Sequence, residues 1–166
     1  MRSISAVTDI AATPQQVWAV LALAQETRSQ PMTSIIRETG VAATPEAAWR
    51  ALRDFGAIHE LASGFVTSTK LEGDRTRVVT FFNGVTAREA LIGTDEQAHR
   101  IAWTIIDLAG ATHHSGSAQI LAYGEDPGRC RFIWATDVLP DDLAERLGTM
   151  MDAGLTAIKR TLESAR

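Results

Sequence analysis

Two side chains capable of acid–base chemistry are predicted to face an apolar interior. Alternation along residues 85–92 places Glu89 on the apolar face of a strand, and the same rule after Gly110 places His114 among small and apolar residues. An apolar cavity can raise a carboxyl pKa toward a useful value. Glu89 and His114 are therefore the candidate catalytic acid/base pair.

Both residues also have a structural interpretation. Parity in residues 77–82 is ambiguous, but one choice turns Arg77, Val79 and Phe81 inward, where Arg77 could pair with Glu89. A lone inward histidine such as His114 is more often a hydrogen-bonded core group than a catalyst. The sequence leaves both interpretations open.

Signatures of other chemistry are missing. There is no G-x-S-x-G elbow, phosphate loop, G-x-G-x-x-G fingerprint or H-E-x-x-H pair. His113 and His114 are adjacent in a predicted strand, so their rings point to opposite faces and cannot converge on one metal. We predict no metal site and no cofactor.

The composition of the chain limits the classes of binding partner and the cellular setting that we expect. The 166 residues carry a net charge of −4, and no basic run is interleaved with aromatic residues, so nucleic acid is not expected. Cys130 is the single cysteine, which excludes an internal disulfide and fits a reducing cytoplasm. The sequence has no signal-peptide pattern and no unbroken apolar run of membrane-spanning length, so neither export nor membrane insertion is predicted.

Turn chemistry divides the chain after residue 33 into α+β order. We predict one strand, two short helices, a run of hairpin-linked strands and a long helix from about residue 141 to 164. Asn83-Gly84 is a strong hairpin signal. The long helix has one apolar stripe that includes Leu147 and Met150, and this stripe must lie against an antiparallel sheet.

Further residues are predicted to face the space between sheet and helix. Trp103 and Trp134 fall on inward faces, where they either form the wall of a cavity or simply fill the core. Gly154 lies inside the long helix, at a cost of about 1 kcal/mol relative to alanine. It indicates either close backbone approach or space kept for a ligand.

The front of the chain contains a repeat. Ser3, Ile4, Thr13, Pro14 and Trp18 recur 31 residues later, but only the second copy continues into a complete domain. Residues 1–31 are therefore a partial duplicate and residues 32–166 the domain. The duplicate is either a linker-like fragment or an extra strand and helix exchanged with a second subunit, which would make a homodimer.

From about Thr33 onward the sequence resembles the SRPBCC (START/Bet v 1-like) superfamily, particularly its polyketide cyclase/dehydrase-like branch. The motifs that carry the resemblance are Ala43-Thr44-Pro45-Glu46-Ala47-Ala48-Trp49, Arg88-Glu89-Ala90-Leu91, Arg100-Ile101-Ala102-Trp103, Trp134 and Gly154-Leu155-Thr156-Ala157-Ile158-Lys159. The resemblance implies a helix-grip fold, in which a curved antiparallel sheet wraps around a long C-terminal helix and encloses a ligand cavity.

Resemblance to the related plant abscisic acid receptors implies which residues line a ligand pocket. By resemblance, the positions that line it are Thr67, Glu89, Trp103, His114, Met150 and Gly154. A loop similar to Phe82-Asn83-Gly84 acts as a gate in those receptors. Thr67 stands where they carry lysine, so the hormone's carboxylate is not the expected ligand.

Two functions follow from this sequence. The first is binding of a small hydrophobic or amphipathic molecule by a carrier or sensor, with Glu89, His114 and Arg77 orienting its polar end. The second is an enzyme similar to polyketide cyclases and dehydrases, in which Glu89 and His114 transfer protons. The full set of predicted ligand-binding residues is Thr67, Arg77, Val79, Phe81, Glu89, Trp103, His114, Trp134, Leu147, Met150 and Gly154.

Overall fold

The computed structural model describes residues 31–107 and 110–165. The partial duplicate predicted in residues 1–31 lies outside the described residues, apart from Pro31. Its role as a linker or an exchanged element, and the homodimer that exchange would create, stay predictions.

The described residues form the predicted α+β arrangement. In chain order, the elements are β1 (Thr33–Val41), α1 (Pro45–Leu52), α2 (Ile58–Leu61), β2 (Val66–Leu71), β3 (Thr76–Phe81), β4 (Thr86–Asp95), β5 (Arg100–Asp107), β6 (His113–Tyr123), β7 (Asp126–Leu139), a 3-10 turn (Asp141–Leu143) and α3 (Ala144–Ser164). Within the described ranges, the strands form one antiparallel sheet in the order β1-β7-β6-β5-β4-β3-β2. The predicted fold class is confirmed.

Local sequence explains where α1 begins. The Thr44 side chain accepts a hydrogen bond from the backbone N–H of Ala47 at 3.2 Å, and Pro45 occupies the first turn. Both features are typical of helix N-termini because they satisfy or remove amide donors that have no partner within the helix. The helix then buries Trp49 and Leu52 against the rest of the domain.

The sheet is bent by irregular pairing in several places. The register between β4 and β5 shifts near Glu89 and again near Gly93, and β2 shifts against β3 near Val66. Such bulges bend a strand and increase its twist. The β3–β4 hairpin turns at Asn83 and Gly84, where Gly84 has a φ of +79° that glycine adopts without strain.

Helix α3 packs one face against the sheet, as its apolar stripe predicts. The buried residues of this helix are Gly148, Met151, Gly154, Leu155, Ala157, Ile158 and Leu162. Leu147 and Met150 are half-buried beside them. The main hydrophobic core therefore lies between α3 and the sheet, and α1 and α2 contribute Trp49, Leu52 and Leu61 to it.

The hairpin between the last two strands is tight. Its turn lies at residues 124–125, and β7 begins directly afterwards at Asp126. Gly124 adopts a φ of +57°, which supplies the left-handed conformation for a tighter hairpin. None of the described helices is long and apolar enough to span a bilayer.

Candidate functional site

An apolar cavity, here called the outer cavity, lies between α3 and the inner face of the sheet. Its volume is about 100 Å³. Most of its lining is apolar, and the polar lining side chains are few. The lining residues are Phe65, Phe81, Asn83, Val85, Ala87, Glu89, Trp103, Ile105, His114, Trp134, Thr136, Leu143, Arg146, Leu147, Met150 and Met151. Asn83, Val85 and Arg146 are exposed, so the outer cavity reaches the protein surface beside the β3–β4 turn.

A second cavity, here called the inner cavity, has a volume of about 60 Å³. All of its lining residues are buried or half-buried, including Arg77, Val79 and Phe132. Five residues line both cavities and form the wall between them. These wall residues are Phe65, Phe81, Glu89, Trp103 and Trp134.

Two glycines allow the aromatic rings of this wall to pack closely. A Cβ at Gly154 of α3 would lie 2.7 Å from the Trp134 ring and 3.1 Å from the Phe65 ring. A Cβ at Gly116 of β6 would lie 2.7 Å from the Trp103 ring. Of the two explanations offered for Gly154, the structure supports close backbone approach, because the space beside Gly154 is occupied by Trp134.

The polar group at the wall is a buried ion pair. Arg77 on β3 and Glu89 on β4 are directly opposite each other, and Arg77 Nε and Nη2 lie 2.7 Å and 2.6 Å from Glu89 Oε2. Arg77 Nη1 also donates to the Phe55 carbonyl oxygen at 2.7 Å, and the guanidinium stacks 3.9 Å from the Phe55 ring centre. The predicted pairing of Arg77 with Glu89 is therefore confirmed.

Burial dominates the electrostatics of Glu89. Removal from water raises the pKa of the Glu89 carboxyl, and the charge and hydrogen bonds of Arg77 oppose this rise. Both bonds from Arg77 go to Oε2, and no described residue donates to Oε1. One carboxylate oxygen of Glu89 is thus fixed, while the other is available to a molecule in either cavity.

Two buried nitrogen atoms at the outer cavity have no hydrogen-bond partner among the described residues. They are Nδ1 of His114 and Nε1 of Trp134. Burial, and to a smaller extent the nearby charge of His113, lower the pKa of His114 to about 4. The His114 imidazole is consequently neutral at pH 7, with one ring nitrogen that donates and one that accepts.

The strands place the predicted residues in different parts of this arrangement. Phe81, Glu89, Trp103 and Trp134 line both cavities; His114, Leu147 and Met150 line the outer cavity; and Arg77 and Val79 line the inner cavity. Thr67 and Gly154 line neither. Thr67 is exposed and donates to the Thr80 carbonyl oxygen at 3.1 Å, because its parity turns it away from α3.

The predicted gate residues are divided as well. Asn83 lines the outer cavity, whereas Phe82 and Gly84 are exposed and lie outside the lining. The Phe82 ring contacts the Phe65 ring, with 6.0 Å between centroids. The turn is thus connected to the cavity wall through an aromatic contact.

Sequence reasoning missed several lining residues. Thr136 and Ala87 share inward faces with Trp134 and Glu89, so the same parity rule could have identified them. Arg146 precedes Leu147 on α3 but gave no signal, because an arginine at the polar edge of a helix stripe is ordinary. Among the described residues, no group of three His, Cys, Asp or Glu side chains is placed to hold a metal ion.

Comparisons with solved structures support the fold. The protein XoxI from Bacillus cereus is 18% identical, with a TM-score of 0.69 over 78% of this chain and 95% of that one. A norcoclaurine synthase point mutant from Thalictrum flavum, in complex with a transition-state analogue, is 20% identical, with a TM-score of 0.65 over 84% and 100% of the two chains. A START superfamily protein from Mycobacterium smegmatis is 14% identical, with a TM-score of 0.67 over 80% and 99%. At these identities the likeness shows the fold alone.

The sequence itself matches a family model. Comparison with curated proteins gives no match. Residues 32–163 match the model described as polyketide cyclase/dehydrase and lipid transport, which covers the whole described sheet and nearly all of α3. The chain therefore belongs to the polyketide cyclase/dehydrase and lipid transport family of the START/Bet v 1-like (SRPBCC) superfamily.

Proposed function

We propose that this protein binds a small hydrophobic or amphipathic organic molecule in the outer cavity, as a carrier or sensor. The observation that carries the proposal is the combination of an apolar lining with two buried polar atoms that have no partner in the part of the chain that the structure describes, Nδ1 of His114 and Nε1 of Trp134. Buried polar groups in folded proteins are nearly always hydrogen-bonded, and leaving one unpaired costs about 1–3 kcal/mol. A ligand that supplies these partners would recover that energy.

The volume of the outer cavity supports a compact ligand. A dry cavity of about 150 Å³ is enough for benzene in a well-studied case. The outer cavity, at about 100 Å³, is smaller than that but open to the surface, so it suits a molecule that places a small apolar end inside and extends through the opening beside Asn83 and Arg146. The buried free thiol of Cys130 is compatible with the same function in a reducing cytoplasm.

An enzyme of the polyketide cyclase/dehydrase type is the second candidate. The observation in its favour is Glu89 Oε1, which accepts no hydrogen bond from residues 31–107 or 110–165 and belongs to a carboxyl whose pKa is raised by burial. General acid–base catalysis works best when the catalytic pKa lies near the operating pH. His114, with a pKa of about 4, is a weak base, and as a neutral imidazole at pH 7 it is a poor proton donor. Proton transfer by Glu89 and His114 together is therefore less well supported than ligand binding.

Native mass spectrometry of freshly purified protein tests the proposal. We expect a mass increase from a non-covalently bound organic molecule that is lost on denaturation. An Ala87→Leu variant, which narrows the outer cavity without adding charge, is the control and should copurify with less of that molecule. Equal loading of both proteins, or no bound molecule together with no affinity for small apolar probes, would contradict the proposal.

A Glu89→Gln variant separates the two functions. If the protein is an enzyme, this change removes turnover of the bound compound while leaving its affinity within a small factor. If the protein is a carrier or sensor, affinity alone changes and no product forms. Product analysis by mass spectrometry after incubation with the copurified compound provides the measurement.

A further inference from the structure

The opening of the outer cavity carries an arginine whose charge has no partner in the described part of the chain. Arg146 lies in the first turn of α3, is exposed and belongs to the cavity lining. No ion pair or hydrogen bond joins its side chain to another described residue. The N–H donors of its guanidinium are therefore available to a molecule that extends out of the cavity.

Helical spacing places Arg146 at the edge of the face that covers the cavity. Leu143, directly before α3, lines the same cavity, as do Leu147 and Met150. Positions 143, 146, 147 and 150 follow the three- and four-residue spacing of one helix face. The aliphatic part of the Arg146 side chain can thus follow the apolar lining while its charged end stays in water at the opening.

The second polar side chain at the opening, Asn83, also has donors to offer. Its Oδ1 accepts a hydrogen bond from the Val85 backbone N–H at 3.1 Å, which assigns the orientation of the amide. The amide nitrogen, which can only donate, has no partner within the described ranges. The opening therefore presents a cation and amide donors to a bound molecule.

Three carboxylates lie near Arg146 in the sequence but leave its charge unpaired. Asp141, Asp142 and Glu145 are exposed, do not line the outer cavity and form no ion pair with Arg146. Charges exposed to water are screened over about 8 Å at physiological ionic strength. These carboxylates weaken the long-range attraction of an anion, so recognition by Arg146 has to be a direct contact.

The buried part of the cavity is unsuited to a charged group. Glu89 is paired with Arg77 at 2.6 Å, and the His114 imidazole is neutral at pH 7. A charged group placed deep in the cavity would lose its hydration without an unpaired opposite charge. A charged end of a ligand must therefore remain at the opening, next to Arg146.

We propose that the outer cavity takes an amphipathic organic anion, whose apolar tail enters the cavity and whose anionic head group is held at the opening by the Arg146 guanidinium. A guanidinium suits this role because it can donate two parallel hydrogen bonds to a carboxylate or a phosphate. This inference rests on the proposed function, since it names the chemical class of ligand for the same cavity.

Hexanoate, hexanol and hexylamine test the proposal at pH 7, because they share one tail and differ in the charge of the head group. Their affinities for the whole protein are measured by NMR titration of the 15N-labelled chain. We expect hexanoate to bind more tightly than hexylamine, by about threefold or more. Acetate, which has the head group without the tail, should bind much more weakly than hexanoate.

Variants remove the difference in hydration between the probes. The affinity ratio of hexanoate to hexanol should fall about three- to tenfold in Arg146→Met, which removes the cation at the opening. It should also fall in Asn83→Asp, which keeps an oxygen for the Val85 N–H but adds a negative charge. Arg50→Met is the matched control, because Arg50 is exposed, lies outside the outer cavity and changes the net charge equally.

The other outcomes overturn the inference. If hexanoate and hexanol bind, both lose affinity in Ala87→Leu, and their ratio is unchanged in Arg146→Met, the cavity takes the tail without recognising the head group, and the proposed function survives alone. An equal fall of the ratio in Arg50→Met would show an effect of net charge only. Tighter binding of hexylamine would show that the carboxylates dominate the opening. If none of the three six-carbon probes binds, the inference and the proposed binding of small molecules both fail.

Discussion

The outer and inner cavities share an aromatic wall but differ in how their polar groups are satisfied. At the inner cavity, Arg77 is bonded to Glu89 and to the Phe55 carbonyl oxygen. At the outer cavity, His114 Nδ1 and Trp134 Nε1 have no partner among the described residues. The same inward-facing pattern thus produces a buried ion pair in one place and two nitrogens without a described partner in the other.

This difference separates a structural role from a binding role. A buried ion pair that loses one partner leaves an uncompensated charge, so Arg77 and Glu89 depend on each other for folding. Unpaired neutral groups weaken the free protein, and a ligand can compensate for that loss. We therefore expect changes at the inner cavity to affect stability most, and changes at the outer cavity to affect pH response and binding.

Replacement of Arg77 should have the largest effect. Arg77→Met leaves the Glu89 carboxyl buried without its cation, and we expect the free energy of unfolding in urea to fall by about 3–5 kcal/mol. Adding Glu89→Leu should recover much of this loss. Arg88→Met, which breaks the exposed pair between Arg88 and Glu72, is the control and should cause a much smaller loss. Similar losses for Arg77→Met and Arg88→Met would contradict the structural role of the inner pair.

The second prediction concerns acid. The pKa of His114 is about 4 in the folded protein and about 6.5 in an unfolded chain, so only the unfolded chain binds a proton between these values. The contribution of His114 to the free energy of unfolding is therefore complete above pH 6.5. It is lost as the pH falls to 4, by a total of about 3 kcal/mol. His114→Phe should remove this component. Parallel stability curves for both proteins between pH 6.5 and 4 would show that His114 is not buried as a neutral group.

The third prediction compares two glycines of α3. Gly154→Ala would place a methyl group against the Trp134 ring of the cavity wall, whereas the close neighbour at Gly148→Ala is the flexible end of the Arg37 side chain, at 2.8 Å. Both changes gain about 1 kcal/mol of helix propensity, but overpacking costs about 1–3 kcal/mol. Thermal or urea unfolding should show Gly154→Ala to be less stable than Gly148→Ala by about that overpacking cost. Equal stabilities of the two variants would mean that the Trp134 ring moves aside at little cost in free energy.

The smallest expected effect is on the preference for larger over smaller ligands. Phe81→Ala opens the wall between the two cavities, so naphthalene should gain affinity relative to toluene, on the order of tenfold. Val85 lines the outer cavity but not the inner one, so the control Val85→Ala should leave this affinity ratio unchanged. Titration followed by NMR provides both affinities. A ratio that does not respond to Phe81→Ala would show that other side chains keep the cavities apart.

The fold could be predicted from the sequence because the capping residues, the turn residues and the spacing of apolar residues all indicated the same helices and strands. Thr44-Pro45 marks the start of α1, Asn83-Gly84 marks a hairpin, and the apolar stripe of the last helix fits a sheet face. Strand parity also placed Glu89 and His114 inward, since a one-residue shift would move them to the solvent face. These predictions depend on local geometry alone.

Details of the site required three-dimensional packing. Thr67 was proposed from resemblance, yet its side chain faces solvent on β2, close to a register shift of that strand. The contact of Gly154 with Trp134 joins α3 to β7, and no spacing within either element predicts it. The separation of one space into two cavities likewise depends on how the aromatic rings meet.

Binding in the outer cavity is tested by an NMR titration of the 15N-labelled protein with phenol, followed at the backbone amides. We predict saturable shifts concentrated at His114, Trp134 and Leu147, and their disappearance in the cavity-narrowing variant Ala87→Leu. Shifts that are scattered over the surface, or that persist unchanged in Ala87→Leu, would contradict binding in the outer cavity.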